Sequence, residues 1–506
     1  MRISSPDRIF LANHMLRDVV GHHLGYNLAL ADAAVRAGVA PRLVAHRKFP
    51  LSLAAGNPCE RIFHTDFRAA PAPWIAANHW LLALLEKWCD RQFGADLTKF
   101  PEVGKSDTIF AQMLAPRHFR RWLDWIAARL SPPVLFLHLG YRPGRFATPE
   151  VAGAIGRLRP ETKSRVVFVT DSEKLVGAFE QVLGVRVRYL PHIISYDFSA
   201  QPHGAKDAAP TGQNRILPET QGGAVACPGL LDGAPLGLKP GDASPKVAIT
   251  GSALGNFVWS SAFRRCFFGC RPTRQPPKGG TPNPEALRLT DVKLAEMRPQ
   301  PGDATLLVTE SSHLPERPIV IFVGGNARRE KGFVEIVQAV RAVQRSEAAG
   351  RYRFVIQCHD PDPTCADVLR SASADEGIDW IARPLDNDEY ITRIRGADVL
   401  LVPYHLDCYE LRTSGVFCEA RVAGKPVIAS KGSWAGDRIH REGGGWLVGE
   451  KDAAGLEAAL RSLPDGLAKI AAEAEALAPQ AKREFSRDGF FHGLVELYSE
   501  VTDHVR

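Results

Sequence analysis

Apolar residues recur along the first two hundred positions in the alternation expected of strands and helices. An apolar strand runs from Arg8 to Ala12, the segment YNLALADAAVRAG after Gly25 has helical periodicity and stops at Gly38, and PRLVAH forms the next strand. This order predicts a βαβ unit, and therefore a parallel sheet covered by helices. Later apolar runs fit the same scheme: PVLFLHLG (133–140), SRVVFVTD (164–171) and VRVRYLPH (185–192), with the helical SEKLVGAFEQVLG between the last two.

The same alternation returns after residue 317. PIVIFVGGNARREKGF (318–333) predicts a strand, a glycine turn and a helix start, and a helix is expected from Val334 to Ala348. The strands RFVIQCHD and VLLVPY, the helix EYITRIRG and a last helix in REFSRDGFFHGLVELYSEVTDHV complete this region. The pattern therefore predicts an α/β fold with two Rossmann-like βα domains facing a cleft, where ligands bind beyond the carboxyl ends of the strands.

Residues 199–317 have a different character. About a quarter of them are Gly or Pro, and stretches such as CRPTRQPPKGGTPNPE offer no periodic apolar face, which predicts a long disordered insertion. Four parts are thus expected along the chain. They are an N-terminal Rossmann-like domain (1–198), the Gly/Pro-rich insertion or linker (199–317), a C-terminal Rossmann-like, ligand-binding domain (318–480) and a C-terminal helix (481–506).

Composition narrows the functional classes. The net charge of +7 is spread over 63 basic and 56 acidic residues without a dense Lys/Arg block, so a nucleic-acid partner is not expected, although attraction to an anionic membrane surface stays open. No apolar run reaches membrane-spanning length, and MRISSPDRIFLANHML lacks the pattern of a signal peptide. We therefore expect a cytoplasmic protein, and peripheral association with the inner face of the membrane is the alternative localisation. The nine cysteines show no zinc-type spacing.

The stretch YELRTSGVFCEARVAGKPVIAS places a Ser-Gly pair directly before an amphipathic run. Ser414 and Gly415 precede a helix expected from Val416 to Ala423, whose free N–H groups and dipole suit a diphosphate. Glu419 lies one turn in, where a carboxylate accepts hydrogen bonds from sugar hydroxyls. A capped, buried helix with a solvated Glu explains this stretch equally well when it is considered alone.

A second element favours the ligand-binding interpretation. GGNARREKGF places glycines after a strand and then Arg328, Arg329 and Lys331 before a helix. A Gly turn lets a ligand approach the backbone, and the cations can neutralise a diphosphate. A solvated basic loop is the alternative. Two anion-suited elements at the carboxyl ends of strands in one domain favour a shared phosphate site.

These two motifs together carry a resemblance. GNARREKGF followed by PYHLDCYELRTSGVFCEARVAGKPVIAS resembles the donor domain of retaining GT-B glycosyltransferases, in particular family 4 (group 1), over Pro318 to roughly Gln480. The resemblance implies that Lys331, with Arg328 nearby, holds the phosphates of a nucleotide-sugar donor. It also implies that the backbone of Ser414, Gly415 and Val416 cradles the diphosphate.

The resemblance implies that Glu419 contacts the ribose. Eight residues before Glu419, however, the sequence departs from the family's motif. Glu419 matches the second Glu of the family's E-x7-E motif, but the first falls on Leu411, with Glu410 one residue early. That first Glu usually faces the transferred sugar. The resemblance also includes a Tyr-x-x-Arg-x-Ser-Gly pattern, which implies that Arg412 is among the donor-binding residues. The candidates to replace the missing carboxylate are Asp407, Tyr409, Glu410 and Arg412.

The N-terminal domain offers an acceptor-side loop. In the predicted fold, Gly21, His22, His23 and Gly25 form a glycine loop facing the cleft, and the resemblance implies that this loop approaches the donor diphosphate. His138 ends a strand where related enzymes often keep a His near the reacting sugar, so it is the candidate catalytic residue. A structural role is the alternative for such a histidine, and His14 has less support.

Metal and cofactor are not expected. The strings Asp360-Pro361-Asp362 and Asp386-Asn387-Asp388 could suggest metal-dependent transfer, but the first suits a turn after a strand and the second the N-cap of EYITRIRG. GT-B enzymes do not generally need a metal bound by such a motif, so a metal site is not expected.

Three functions remain open from the sequence. The first is a retaining glycosyltransferase for a glycan or lipid-linked acceptor in polysaccharide biosynthesis, with the nucleotide-sugar as substrate and no cofactor. The second is a non-catalytic binding protein of the same fold, motivated by Leu411. The third is a nucleotide-sugar epimerase, which shares the two-domain architecture.

Overall fold

The computed structural model describes residues 4–18, 23–64, 78–140, 142–194, 317–346, 349–370 and 377–503. The predicted insertion lies outside these residues except for its last position, Arg317. Gly21 and His22 of the predicted acceptor-side loop also lie outside them.

The N-terminal domain is built on a parallel sheet, as the βαβ pattern predicts. Within the described ranges its strands are β1 (Arg8–Ala12), β2 (Ala40–His46), β3 (Cys59–Phe63), β4 (Thr108–Leu114), β5 (Val134–Leu139), β6 (Val166–Thr170) and β7 (Val187–Tyr189). They form one sheet in the order β3-β2-β1-β4-β5-β6-β7. β5 and β6 are buried along their whole length, because helices cover both faces of the sheet.

The covering helices of this domain are amphipathic. They are α1 (His23–Arg36), α2 (His79–Leu97), α3 (Pro116–Ala127), α4 (Pro149–Gly156), α5 (Pro160–Lys163) and α6 (Glu173–Leu183), with 3-10 turns at Leu51–Ala54 and Pro143–Phe146. α3 turns Phe119, Trp122, Leu123 and Ile126 inward at the 3.6-residue period, and these side chains fill one face of the sheet.

The C-terminal domain repeats the plan with a second parallel sheet. In the described part its strands are β8 (Ile319–Val323), β9 (Tyr352–Gln357), β10 (Ile378–Ile381), β11 (Val399–Val402), β12 (Val427–Ser430) and β13 (Gly445–Val448), in the order β10-β9-β8-β11-β12-β13. Its helices are α7 (Phe333–Gln344), α8 (Pro363–Leu369), α9 (Asn387–Gly396), α10 (Leu406–Tyr409), α11 (Gly415–Val422) and α12 (Trp434–Glu442), with 3-10 turns at Arg329–Lys331 and Ala349–Arg351. Two Rossmann-like domains are therefore confirmed.

The last two helices tie the domains together. α13 (Ala453–Phe485) packs on the C-terminal domain, whereas α14 (Arg487–Asp503) returns to the N-terminal domain and inserts Phe490, Phe491 and Leu494 into its core. The chain breaks between them because Ser486 is extended and its hydroxyl accepts a 3.0 Å hydrogen bond from the N–H of Gly489. The predicted last helix is therefore present, but it begins at Arg487, and the residues that the pattern placed at its start form the end of α13.

Polar contacts across the cleft set the orientation of the domains. Arg438 on α12 lies 2.6 Å from Glu173 on α6 and 2.6 Å from Glu484 at the end of α13. The indole N–H of Trp434 donates to the other oxygen of Glu173 at 2.8 Å. Arg438 is buried whereas Glu173 is partly exposed, and these ion pairs hold the carboxyl edges of the two sheets face to face.

Candidate functional site

The start of α11 faces the N-terminal domain. Ser414 is extended, and its hydroxyl accepts a 3.2 Å hydrogen bond from the N–H of Phe417, which makes it the N-cap. The first turn of α11 is thereby fixed with its N–H groups pointing out of the helix start. His192, which follows β7, approaches the first helical residue so closely that a Cβ on Gly415 would lie 3.3 Å from its Nε2. The helix start thus lies at the junction of both domains.

Lys331 reaches this junction from the loop after β8. Its ammonium lies against the glycine turn, because a Cβ on Gly325 would meet Lys331 Nζ at 2.7 Å. The turn that carries the lysine depends on Gly332, which has φ +67° and no room for a side chain, since a Cβ there would lie 2.2 Å from the carbonyl oxygen of Pro403. Gly325 and Gly332 therefore fix the position of the Lys331 side chain.

Lys331 is held among other cations. Burial, together with the positive charges of Arg412 and Arg328, lowers the pKa of Lys331 to about 8 against the opposing carboxylates of Glu330 and Glu419. The guanidinium of Arg412 lies 5.1 Å from the ring centroid of Tyr409, a cation–π contact that orients it. A partly buried lysine with a depressed pKa beside an arginine is an incomplete electrostatic arrangement that an anion would complete.

Arg328 has a partner of its own. Its guanidinium lies 2.6 Å from Asp360 Oδ2, and Asn326 Nδ2 donates to the same oxygen at 3.2 Å. Arg328 therefore contributes charge to the neighbourhood of Lys331 while its hydrogen bonds go to the loop after β9. The expectation that it holds phosphate directly stays a prediction.

Glu419 lies one turn into α11, as predicted, and faces Tyr390 of α9. The Tyr390 hydroxyl donates a 2.8 Å hydrogen bond to Glu419 Oε2. Burial raises the pKa of Glu419 to about 7, against the opposing effects of Tyr390, His192 and Lys331. A half-buried carboxyl with one oxygen held by a tyrosine and the other available suits a ligand hydroxyl donor.

The chain segment that departs from the family pattern is used for domain contact. Leu411 packs against the hydrophobic core of the N-terminal domain. The carbonyl of Glu410 accepts a 3.1 Å hydrogen bond from Lys174 of α6, and the Thr413 hydroxyl donates to the carbonyl of Asp171 at 2.6 Å. Glu410 itself is exposed, and Arg412 is the member of the candidate set that lies beside Lys331.

A narrow pocket opens on the N-terminal side of the junction. It is lined by His23, Tyr26, Gln112, Met113, His138, Asp171 and His192. His138 is buried at the end of β5, with its ring stacked on Phe110 at 5.8 Å between centroids. His23 also lines the pocket, but it begins α1 and Gly25 lies in the same first turn. Both residues were expected in a loop, and the helix begins earlier than the pattern suggested.

Asp171 supplies a negative charge to this pocket. Its Oδ2 lies 3.5 Å from His192 Nδ1, while its buried Oδ1 has no hydrogen-bond partner among the described residues. Burial alone would raise the pKa of Asp171, but the hydrogen bond from His192 and the charges of His138 and Arg412 bring it below its ordinary value. The pKa of His138 is lowered by burial, and its Nδ1 is likewise without a partner in the described structure.

A buried amide network behind the pocket escaped the sequence analysis. The Nδ2 atoms of Asn13 and Asn27 donate to Gln112 Oε1 at 2.9 and 3.1 Å, and Gln112 Nε2 donates back to Asn27 Oδ1 at 2.8 Å. Asn27 Nδ2 also donates to the carbonyl of His23 at 2.7 Å. The network fixes the first turn of α1 against β1 and β4. Its only signal in the sequence was amide side chains within otherwise apolar runs.

The two Asp-x-Asp strings take the local roles that the sequence analysis favoured. Asp362 caps α8 by accepting the N–H of Cys365 at 2.9 Å, and Asp386 caps α9 by accepting the N–H of Glu389 at 2.9 Å. Asp360 pairs with Arg328 instead. In the described part of the chain no cluster of three His, Cys, Asp or Glu side chains could hold a metal ion. None of the helices described is both long and apolar enough to cross a bilayer.

The comparisons with known proteins agree with this geometry. Residues 317–465 match the family described as "Glycosyl transferases group 1". Similar solved structures include α,α-trehalose 6-phosphate synthase from Burkholderia multivorans, at 12% identity and a TM-score of 0.53 over 99% of this chain and 98% of that one. A glycosyltransferase from Rickettsia africae aligns at 10% identity and a TM-score of 0.53 over 98% of both chains. Anabaena HepE in complex with UDP aligns at 11% identity and a TM-score of 0.51 over 97% of this chain and 99% of that one.

No curated protein sequence matches the chain. The structural similarities extend over almost the whole length of this chain and of each similar structure, and they confirm the GT-B fold that the sequence motifs indicated. On the C-terminal side of the junction lie the start of α11, Lys331, Arg412 and Glu419. The opposite side contains the pocket with His138 and Asp171.

Proposed function

We propose that this chain, a glycosyltransferase with the GT-B fold and a group 1 C-terminal domain, moves a sugar from a nucleotide diphosphate sugar to a glycan or lipid-linked acceptor with retention at the anomeric carbon. The observation that carries the proposal is the cationic cluster of Lys331 and Arg412, which includes a lysine whose pKa is lowered to about 8. Such a cluster favours a polyanionic ligand over a neutral one.

The diphosphate would lie between this cluster and the start of α11. There, the N–H groups of the first turn and the helix dipole add to the two side-chain cations. When the bond from the sugar to the diphosphate breaks, negative charge accumulates on the leaving oxygen. Donors that are already in place stabilise that charge without reorganising, and this is the main rate enhancement the site offers.

The nucleoside would extend along α11 toward Glu419. The oxygen of Glu419 that Tyr390 does not hold would accept a hydrogen bond from a ribose hydroxyl. Tyr390 keeps the carboxylate in one rotamer, so little side-chain entropy is lost on binding. Because HepE was solved with UDP, uridine diphosphate is the first nucleotide to test.

The transferred sugar would lie against the pocket on the N-terminal side. Asp171 Oδ1 and His138 Nδ1 are buried polar atoms without partners among the described residues, and burying them in that state is unfavourable. Hydroxyl groups of the sugar or of the acceptor would satisfy both. The pocket is therefore the place where His138 would contact substrate.

The test is turnover with a panel of UDP-, GDP-, ADP- and dTDP-sugars. We expect one donor to release its nucleoside diphosphate, NMR to show an unchanged anomeric configuration in the product, and Lys331→Met to reduce the rate at least a hundredfold. Arg345→Met, on the turn after α7, is the matched control for loss of a surface cation. Absence of both transfer and donor hydrolysis across the panel would contradict the proposal.

A non-catalytic binding role is the second candidate, and one observation favours it. Leu411 occupies the position of the first motif Glu and packs into the N-terminal core, so it presents no carboxylate to a sugar. Tight nucleotide-sugar binding without turnover would support this alternative. Turnover of any donor in the panel would eliminate it.

A further inference from the structure

Helix α2 has an outward face of unusual composition. Its inward side carries Cys89, Phe93 and Leu97, all buried. Its outward side should be polar in a helix that only covers a sheet. Instead, Trp80 is 67% exposed, Leu84 45% and Trp88 42%.

The outward stripe combines these apolar side chains with positive charge. At 100° per residue, Trp80, Leu84 and Trp88 lie on one side of the helix together with Lys87 and Arg91, which are also exposed. The acidic residues of α2 are Glu86, Asp90 and Asp96, and they lie off the stripe. Glu86 is half-buried, about 100° around the helix from Lys87, and its charge acts on Arg117 and Arg145. Asp90 pairs with Arg120 and Arg121 of α3, and Asp96 with His64. The stripe is therefore apolar and cationic, without a carboxylate.

The stripe projects beyond the N-terminal sheet on the side of the cleft. His64, immediately after β3, lies 2.6 Å from Asp96 near the end of α2, and Phe93 packs against His14, just after β1. The last turns of α2 thus lie at the carboxyl edge of the sheet. With a rise of about 1.5 Å per residue, Trp80 lies on the order of 24 Å further along the helix, past that edge.

We propose that the outward stripe of α2 docks on an anionic lipid surface. Indole rings partition to the membrane interface, and lysine and arginine beside them attract anionic headgroups, so this combination fits a bilayer surface better than a neutral protein partner. Docking through a helix that projects past the carboxyl edge brings the cleft close to the membrane. A cleft close to the membrane favours a lipid-linked acceptor over a soluble glycan. This choice of acceptor rests on the proposed function, whereas the docking of the stripe on lipid does not.

The experiment is flotation of the full chain with vesicles of phosphatidylcholine alone and of phosphatidylcholine with 30% phosphatidylglycerol. We expect binding to the anionic vesicles only, reduced by high salt. Trp80→Ser with Trp88→Ser should lower the bound fraction at least tenfold, and Lys87→Glu with Arg91→Glu should remove the preference for anionic lipid. Leu130→Ser is the matched control, because Leu130 is 92% exposed and lies outside the stripe.

Three results would overturn the proposal. The first is no binding of the wild type to anionic vesicles, and the second is equal binding of the wild type and the double tryptophan variant. The third is that the wild type forms a dimer in solution and does not bind vesicles, while the double tryptophan variant is a monomer. Melting temperature and nucleotide binding of each variant show that it is folded. Donor turnover is measured separately with a soluble acceptor, so a failure of membrane docking and a failure of the glycosyltransferase assignment give different results.

Discussion

The depressed pKa of Lys331 makes nucleotide affinity depend on pH. Partial burial and the charges of Arg412 and Arg328 lower the pKa of its ammonium to about 8. A bound diphosphate raises that pKa again, so binding and protonation are coupled. Raising the pH through 8 therefore discharges the free site and weakens binding.

The size of the effect follows from the charged fraction. With a pKa of about 8, roughly three quarters of Lys331 is charged near pH 7.5 and about 3% near pH 9.5. If only the charged form binds, the apparent affinity falls by about 25-fold, or about 2 kcal/mol, over this range. The nucleotide contributes little, because its terminal phosphate ionises near pH 6.

Isothermal titration of the best-binding nucleoside diphosphate across this range measures the effect. Lys331→Arg should flatten the profile, because its guanidinium stays charged throughout. Lys331→Met should bind weakly at every pH. Glu419, whose pKa is raised to about 7, is mostly ionised in this window, so Glu419→Gln should keep the slope. A flat wild-type profile, or the same slope in Lys331→Arg, would refute the reasoning.

Three further substitutions test other parts of the site. Glu419→Gln should weaken nucleotide binding by about 10- to 100-fold through loss of a charged hydrogen bond, with Glu496→Gln on α14 as an unchanged control in the same titration. Asp171→Asn should lower kcat and raise the acceptor KM while the affinity for the nucleoside diphosphate, which lacks the sugar, stays within about twofold; a change in nucleoside diphosphate affinity alone would contradict this. Gly332→Ala should destabilise the fold by at least about 2 kcal/mol in urea unfolding, because of its positive φ and the adjacent carbonyl, whereas Gly350→Ala, with open space around it, should not.

The sequence pattern predicted the strands that are buried on both faces. Arg8–Ala12 and the core of VLLVPY are strands in the structure, because near-continuous apolar runs of that length are typical of parallel sheets. The N-caps at Ser414 and Asp386 were also predictable, since capping depends on neighbouring residues alone. Local sequence rules were therefore sufficient to predict the start of α11, which is the C-terminal domain's part of the proposed site.

The other half of the site depends on contacts between distant residues. Asp171 ends an ordinary strand and His192 follows another, and only the closure of the two domains brings them to Thr413 and Gly415. Tyr390 looked like one apolar position of a short helix until α9 packed beside α11. No periodicity or spacing encodes such pairs, because their separation along the chain is unrelated to their distance in space.

The most direct test of the account is a crystal structure with the nucleoside diphosphate that binds best. We predict that the diphosphate lies at the start of α11, with its oxygens accepting hydrogen bonds from the N–H groups of Gly415 and Val416. Lys331 Nζ and the Arg412 guanidinium should lie within salt-bridge distance of the same phosphates, and the ribose should contact Glu419. A diphosphate bound elsewhere, or one that leaves Lys331 without a phosphate contact, would contradict the central claim.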